Sequence, residues 1–169
     1  MEAILDHIGI AVEDIEKALA FYKDALGLEV EAPEEILTER VRARMVPVGG
    51  PSLELLEGTA PDSAVASYIG KRGPGIHHVT LRVDDIRAVL AQLKSRGIRL
   101  VNAEPRPGAG GSLVAFVHPS AAHGVLIELK QRAEPDVALT VKRLAFGHLQ
   151  LAVLHGGPLR LDGRALVAD

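Results

Sequence analysis

One phrase occurs twice in this chain. His7-Ile8-Gly9-Ile10-Ala11-Val12-Glu13-Asp14-Ile15 lies over His78-Val79-Thr80-Leu81-Arg82-Val83-Asp84-Asp85-Ile86, with a histidine, alternating apolar positions, an aspartate and an isoleucine in step. The parallel continues through Leu26-Gly27-Leu28 with Arg96-Gly97-Ile98, and through Leu53-Glu54-Leu55 with Ile127-Glu128-Leu129. A repeat of this kind constrains the fold more than any local propensity, because two copies of one supersecondary unit must bury their apolar faces together. The copies cover about residues 4–60 and 75–131. With 169 residues and 47% apolar content, the chain can bury one substantial core, so residues 1–131 read as a single domain made of two modules.

Each copy begins as strand then helix. Ile8, Ile10 and Val12 alternate with His7, Gly9 and Ala11, the period of a strand with one apolar face and one small or polar face. Asp14 suits a helix N-cap, Ile15, Ala18, Leu19, Tyr22 and Leu26 recur at helical spacing, and Gly27 suits the position after the helix. In the second copy Asp85 caps, Ile86, Val89, Leu90 and Leu93 form the stripe, and Gly97 ends it. Strand-like runs follow at about 28–31, 40–48 and 52–57, and again at about 98–102, 112–118 and 124–130. The unit is βαβββ. The predicted class is therefore α+β, with tandem βαβββ modules paired by pseudo-twofold symmetry into a curved mixed sheet. Pro61 to Gly75 between the copies reads as a short helix and a Gly/Pro linker. Residues 132–169 have β-like alternation and a Gly-Gly-Pro turn, a C-terminal extension whose His148 and His155 have no tie to the repeat.

Composition removes several classes of function. A net charge of -3 with interspersed signs offers no basic stripe for nucleic acid. The absence of cysteine excludes disulfides, thiolate metal sites and cysteine nucleophiles. No apolar run reaches the ~18 residues of a spanning helix, so neither a membrane nor nucleic acid is an expected partner. The start MEAILDH has no basic region ahead of an apolar stretch, and the expected location is cytoplasmic.

The alternation also assigns directions. Helices should cover the apolar faces, leaving His7 and His78 on a concave surface, and Glu54 and Glu128, each flanked by apolar neighbours, project onto that surface too. A buried carboxylate without a partner is expensive. Pairing the modules about a pseudo-twofold axis brings the four together as a metal site: His7, Glu54, His78 and Glu128. Two imidazoles and two carboxylates suit a divalent ion such as Co, Mn, Ni, Zn or Fe with open coordination positions.

The stretches DHIGIAVEDIEKALAFYKDALGLEV, LELLEG, GIHHVTLRVDDI and HPSAAHGVLIELKQ resemble the vicinal oxygen chelate (glyoxalase/bleomycin resistance/dioxygenase) superfamily, and within it the methylmalonyl-CoA epimerases. The resemblance covers about residues 5–131 and puts the family's metal ligands on the same four residues. It implies an isomerase taking a CoA thioester, a homodimeric assembly, and inversion by α-proton removal through an enolate, with Glu128 as principal base and Glu54 acting on the opposite face. Within the superfamily the alternatives are glyoxalase I, an extradiol dioxygenase and a non-catalytic binding module. Some relatives carry a further carboxylate where this chain has Ala43, so that role falls to Glu54, Glu39 or water. Arg42 and Arg44 read as a solvated strand face with CoA phosphate binding as the alternative, and His77 reads as a hydrogen-bonding residue on the face opposite His78. The glycine-rich Pro105 to Ser112 joins two strands and is no dinucleotide fingerprint. His118 and His123 bracket a turn.

Overall fold

Each copy of the repeat opens with a strand, β1 (Ala3–Ala11) in the first and β5 (Gly75–Val83) in the second. The computed structural model describes residues 3–133 and four strands beyond them, and it pairs β1 antiparallel with β5 at the middle of one sheet. Outward from that seam the two sides match. β4 (Ser52–Gly58) runs parallel to β1, β3 (Val41–Pro47) antiparallel to β4, and β2 (Glu34–Ile36) forms the edge. On the other side β8 (Leu126–Gln131) runs parallel to β5, followed by β7 (Leu113–Val117) and the edge strand β6 (Arg106–Pro107). The order β2-β3-β4-β1-β5-β8-β7-β6 is the one a twofold axis between β1 and β5 generates, and the mixed sheet curls into a half-barrel.

The helices form where the capping signals put them. Asp14 accepts the backbone N–H of Lys17 at 3.1 Å to start α1 (Ile15–Leu19), and Asp85 accepts that of Ala88 at 3.0 Å to start the later helix Ile86–Ser95. Gly27 and Gly97, both at φ 69°, supply the left-handed residue after each helix. A second cap was not signalled by the sequence: Glu57 at the end of β4 accepts the Ile15 N–H at 2.8 Å, and Gln131 at the end of β8 accepts the Ile86 N–H at 2.9 Å. The last strand of each module is thereby tied to the start of its helix.

The outer face of the sheet carries the two helix-covered cores. Ile15 and Leu19 bury against Val46 and Leu55, while Ile86, Val89 and Leu90 bury against Val83, Ala115, Val117 and Leu129. In the linker, Ser63 caps α2 (Ala64–Arg72), and Gly73 at φ 76° ends it. The helix Ile86–Ser95 is α3. Val65 of α2 joins Ala11, Val41, Ala43 and Leu56 on the inner face of the first module, and α2 has no counterpart on the second module among the described residues.

Two expectations need correction. From Ala20 to Ala25 the chain after α1 is a π-helix, whose wider turn rotates the stripe, so Leu26 stands 53% exposed instead of joining the core. The runs at about 28–31 and 98–102 are not regular strands. Leu28, Val30, Ile98 and Leu100 do pack against the cores. Their backbone bonding is sparse: Glu31 N–H to Met45 O at 2.9 Å in the first, and in the second Val101 N–H to Phe116 O at 2.8 Å and His118 N–H to Arg99 O at 3.0 Å, around a single bridge between Leu100 and Val117. The ladder edges are taken by β2 and β6, just beyond Pro33 and Pro105, which lack the N–H to continue a ladder.

The chain divides into a unit ending at Ala133 and a second beginning at Glu134. The second contains two antiparallel hairpins, β9 (Lys142–Phe146) with β10 (Leu149–Val153), and β11 (Leu159–Leu161) with β12 (Leu166–Ala168). His148 and His155 lie outside the described residues. Among the described residues no helix is long and apolar enough to cross a membrane.

Candidate functional site

Two rungs of the sheet, related by the pseudo-twofold, carry His7, Glu54, His78 and Glu128. On one, Gly9 of β1 is flanked by Glu54 of β4 and His78 of β5; on the other, Thr80 of β5 is flanked by His7 of β1 and Glu128 of β8. One rung, Ile8 with Val79, separates them, so both sets of side chains point to the same face and meet over the seam. His7, Glu54 and His78 each place a ligand atom within 4.8 Å of the others. The two Nε2 atoms stand 3.3 Å apart, and Glu54 Oε2 lies 3.3 Å from that of His7 and 3.5 Å from that of His78. Glu128 borders the group, with Oε2 3.6 Å from His78 Nε2. Gly9 lacks the Cβ that would overlap the His78 ring, and the buried Thr80 hydroxyl lies 2.9 Å from His7 Nε2.

β-Bulges aim the neighbouring side chains. The β1–β5 register slips once between Leu5 and His7, leaving Asp6 as the extra residue, and once between Gly9 and Ile10, leaving His77 as the extra residue. Both bulged side chains turn toward the adjacent histidine: Asp6 Oδ2 is 3.1 Å from His7 Nδ1, and His77 Nδ1 is 2.9 Å from His78 Nδ1. His77 lines the site cavity with its edge toward the Tyr68 ring, so the assignment of His77 to the opposite face is wrong. Strict alternation holds only where the ladder is regular.

Burial makes the charges of this group unequal. Desolvation pushes His78 down to about 4, so its imidazole is neutral and free to donate a lone pair. Burial works against the charged form of His7 as well, but the hydrogen bond and charge of Glu54, with the Asp6 hydrogen bond, outweigh it and raise its pKa. Glu54 is likewise opposed by burial yet held below its usual value by the His7 hydrogen bond and charge. For Glu128 burial, with the charge of Glu54, outweighs the opposing charges of His7, Lys130 and Arg106 and pushes it up to about 7. Donor atoms facing one another at these distances repel unless a proton or cation lies among them, and the set of borderline nitrogens and hard oxygens fits a divalent ion.

A cavity of ≈ 240 Å³ opens over the donors. Ile36, Val41, Leu56 and Val65 make one wall apolar, and Arg106, Phe116 and Lys130 line another part. Arg106 lies 5.2 Å above the Phe116 ring and pairs at 2.9 Å with Glu39 of the other module.

Residues 6–116 match the sequence pattern of the Glyoxalase/Bleomycin resistance protein/Dioxygenase superfamily. The chain belongs to this superfamily. Among its relatives, the mitochondrial methylmalonyl-CoA epimerase of Bos taurus is 41% identical over 128 residues, covering 75% of this chain and 73% of that protein. The ethylmalonyl-CoA/methylmalonyl-CoA epimerase of Cereibacter sphaeroides is 38% identical over 129 residues, covering 75% of this chain and 96% of that protein. A solved structure of a Streptomyces coelicolor methylmalonyl-CoA epimerase variant in complex with 2-nitronate-propionyl-CoA superposes with a TM-score of 0.72 at 38% identity, covering 77% of this chain and 94% of that one.

Against this superfamily fold the remaining sequence candidates fall into place. Ala43 faces inward, buried beside Leu56, and offers no acid. Glu39 lines the cavity, its carboxylate engaged by Arg106. Arg42 and Arg44 lie outside the cavity lining, Arg42 reaching Glu57 at 3.6 Å and Glu35 at 3.8 Å. His118 accepts the Ser120 N–H at 3.1 Å, and His123 sits at φ 52°, so both shape the turn as expected. Asp6, Thr80, Lys130 and Arg106 escaped the sequence reading. One signal was available for the first: Asp6 and His77 occupy the same place in the repeat, and both are polar on the side that alternation assigns to apolar residues.

Proposed function

We propose that this chain epimerises a methylmalonyl-CoA-type thioester at its α-carbon. The observation that carries the reading is the convergence of His7, Glu54, His78 and Glu128 at an apolar-walled cavity, with the buried Glu128 carboxylate lining it, in a domain whose relatives are named epimerases. A carboxylate at that position can take an α-proton and return it. A divalent ion held by His7, Glu54, His78 and Glu128 would supply Lewis-acid stabilisation, roughly several kcal/mol, of the charge that develops on the thioester oxygen.

The protein's own residues do the rest. Ile36, Val41, Leu56 and Val65 exclude water along one wall, which strengthens every charge interaction inside. Glu54 approaches from the first module and Glu128 from the second, so the two carboxylates can serve opposite faces of a planar carbon. With Ala43 on the inner face of β3, Glu54 is the second acid/base in this reading. The relative's ligand is consistent with it, since a nitronate is a planar delocalised anion, as an enolate is. A cytoplasmic location and a homodimer accompany the proposal, and sedimentation velocity tests the second.

The decisive experiment is exchange in deuterated water. Methylmalonyl-CoA incubated with metal-loaded protein should gain one α-deuterium, lose this gain on chelation and recover it on metal readdition. Exchange no faster than in the chelated control would refute the proposal. Turnover of methylglyoxal with glutathione in its place would reassign the chain to the glyoxalase I reaction.

A further inference from the structure

We infer that Asp6 is the positioning residue that presents His7 to the metal, and that His77 performs the same task for His78. The inference rests on the metal centre proposed above and goes beyond its ligand set.

Both residues are placed by the same device. Each is the extra residue of a bulge in the β1–β5 pairing, each immediately precedes a donor histidine, and the pseudo-twofold exchanges them. Each approaches the Nδ1 of that histidine, at 3.1 Å for Asp6 and 2.9 Å for His77, while both Nε2 atoms face the site centre. A carboxylate can only accept at pH 7, so Asp6 requires a proton on His7 Nδ1 and leaves the lone pair on Nε2. Such outer partners fix ring orientation and raise donor strength. The two halves differ in chemistry. Asp6 delivers a full negative charge, whereas His77 is an imidazole held among Tyr68, His78 and the cavity. His7 is thus the stronger donor of the pair.

A competing role for Asp6 is charge balance. Its carboxylate also meets Lys130 at 3.3 Å, Arg132 at 3.2 Å and Arg82 at 3.6 Å, and its side chain is only 6% exposed. The test must separate presenting His7 from neutralising these cations.

The probe is Co2+ alone, with affinity measured by competition against a chelating dye and geometry by the visible absorption of the bound ion. Wild-type protein, Asp6→Asn, Asp6→Ala, the double variant Asp6→Asn/Lys130→Met and His77→Ala are compared, with circular dichroism as the fold control. Asp6→Ala is expected to weaken Co2+ binding about 10–100-fold and to shift the spectrum. Asp6→Asn, which keeps a neutral acceptor on Nδ1 and is nearly isosteric, should fall between, and it carries the test if the alanine variant does not fold. His77→Ala should lose less. The double variant should stay as weak as Asp6→Asn; a return to wild-type affinity would make Asp6 a counter-ion and overturn the inference. Unchanged affinity and spectrum in Asp6→Asn and Asp6→Ala would also overturn it, while the metal centre itself would stand. Wild-type protein that binds no Co2+ would remove the centre and this role together.

Discussion

The His78 ring lies over Gly9, its partner across the central seam, in space that any Cβ would fill. Gly9→Ala must therefore push the ring away from Glu54 and His7. Overpacking of this kind costs about 1–3 kcal/mol, and misplacing a reacting group by about 1 Å costs roughly 10²-fold in rate. Thermal unfolding should show the modest stability loss, and deuterium exchange the larger functional one. A variant that exchanges at the wild-type rate would show that the ring position is not needed.

Glu128→Gln keeps the shape and removes the proton acceptor. Exchange should fall about 10²–10⁴-fold, with Co2+ still bound through His7, Glu54 and His78. Glu54→Gln should behave differently, because an amide oxygen remains available as a donor while the carboxylate on the opposite face is gone. It should slow inversion more than exchange, which chiral analysis of the product alongside mass spectrometry can resolve.

Stability of the chelated protein should respond to pH through His78 and Glu128 with opposite signs. Burial lowers His78 from 6.5 to about 4, so across that window the unfolded chain binds a proton that the folded chain does not, and the contribution grows as pH rises. Burial raises Glu128 from 4.5 to about 7, so there the folded chain holds the extra proton, and the contribution is full below 4.5 and lost as pH rises through 7. Each displacement corresponds to roughly 3 kcal/mol. Relative to wild type, Glu128→Gln should gain stability as pH rises from 4.5 to 7, and His78→Asn should lose it from 4 to 6.5. Denaturant titrations at several pH values in the presence of a chelator measure both, and parallel curves for variant and wild type would contradict the assignment.

Glu57→Ala and Gln131→Ala each remove the acceptor from a helix's first N–H, at Ile15 and Ile86 respectively, both residues fully buried. Each should destabilise by about 0.5–2 kcal/mol, and because the caps sit in separate modules with no shared partner, the double variant should show the sum within roughly 0.5 kcal/mol.

The amino-acid sequence alone determines the duplication, the βαβββ unit, the helix caps at Asp14 and Asp85, and the matched places of His7, Glu54, His78 and Glu128 in the repeat, because each of these is a local or repeating pattern. Apolar period, cap residue and post-helix glycine act over a few positions and read the same in any context. Only the tertiary structure decides that Asp6 and His77 turn toward His7 and His78, that Leu26 points outward, and that β2 and β6 form the sheet edges instead of the apolar runs before them. The reason is register: a bulge arises from how β1 and β5 slide against each other, and a π-helical turn from how a helix settles on its sheet. Each one-residue slip reverses which side a side chain takes, and a period-2 or 3.6 pattern carries no record of the partner strand that forces it.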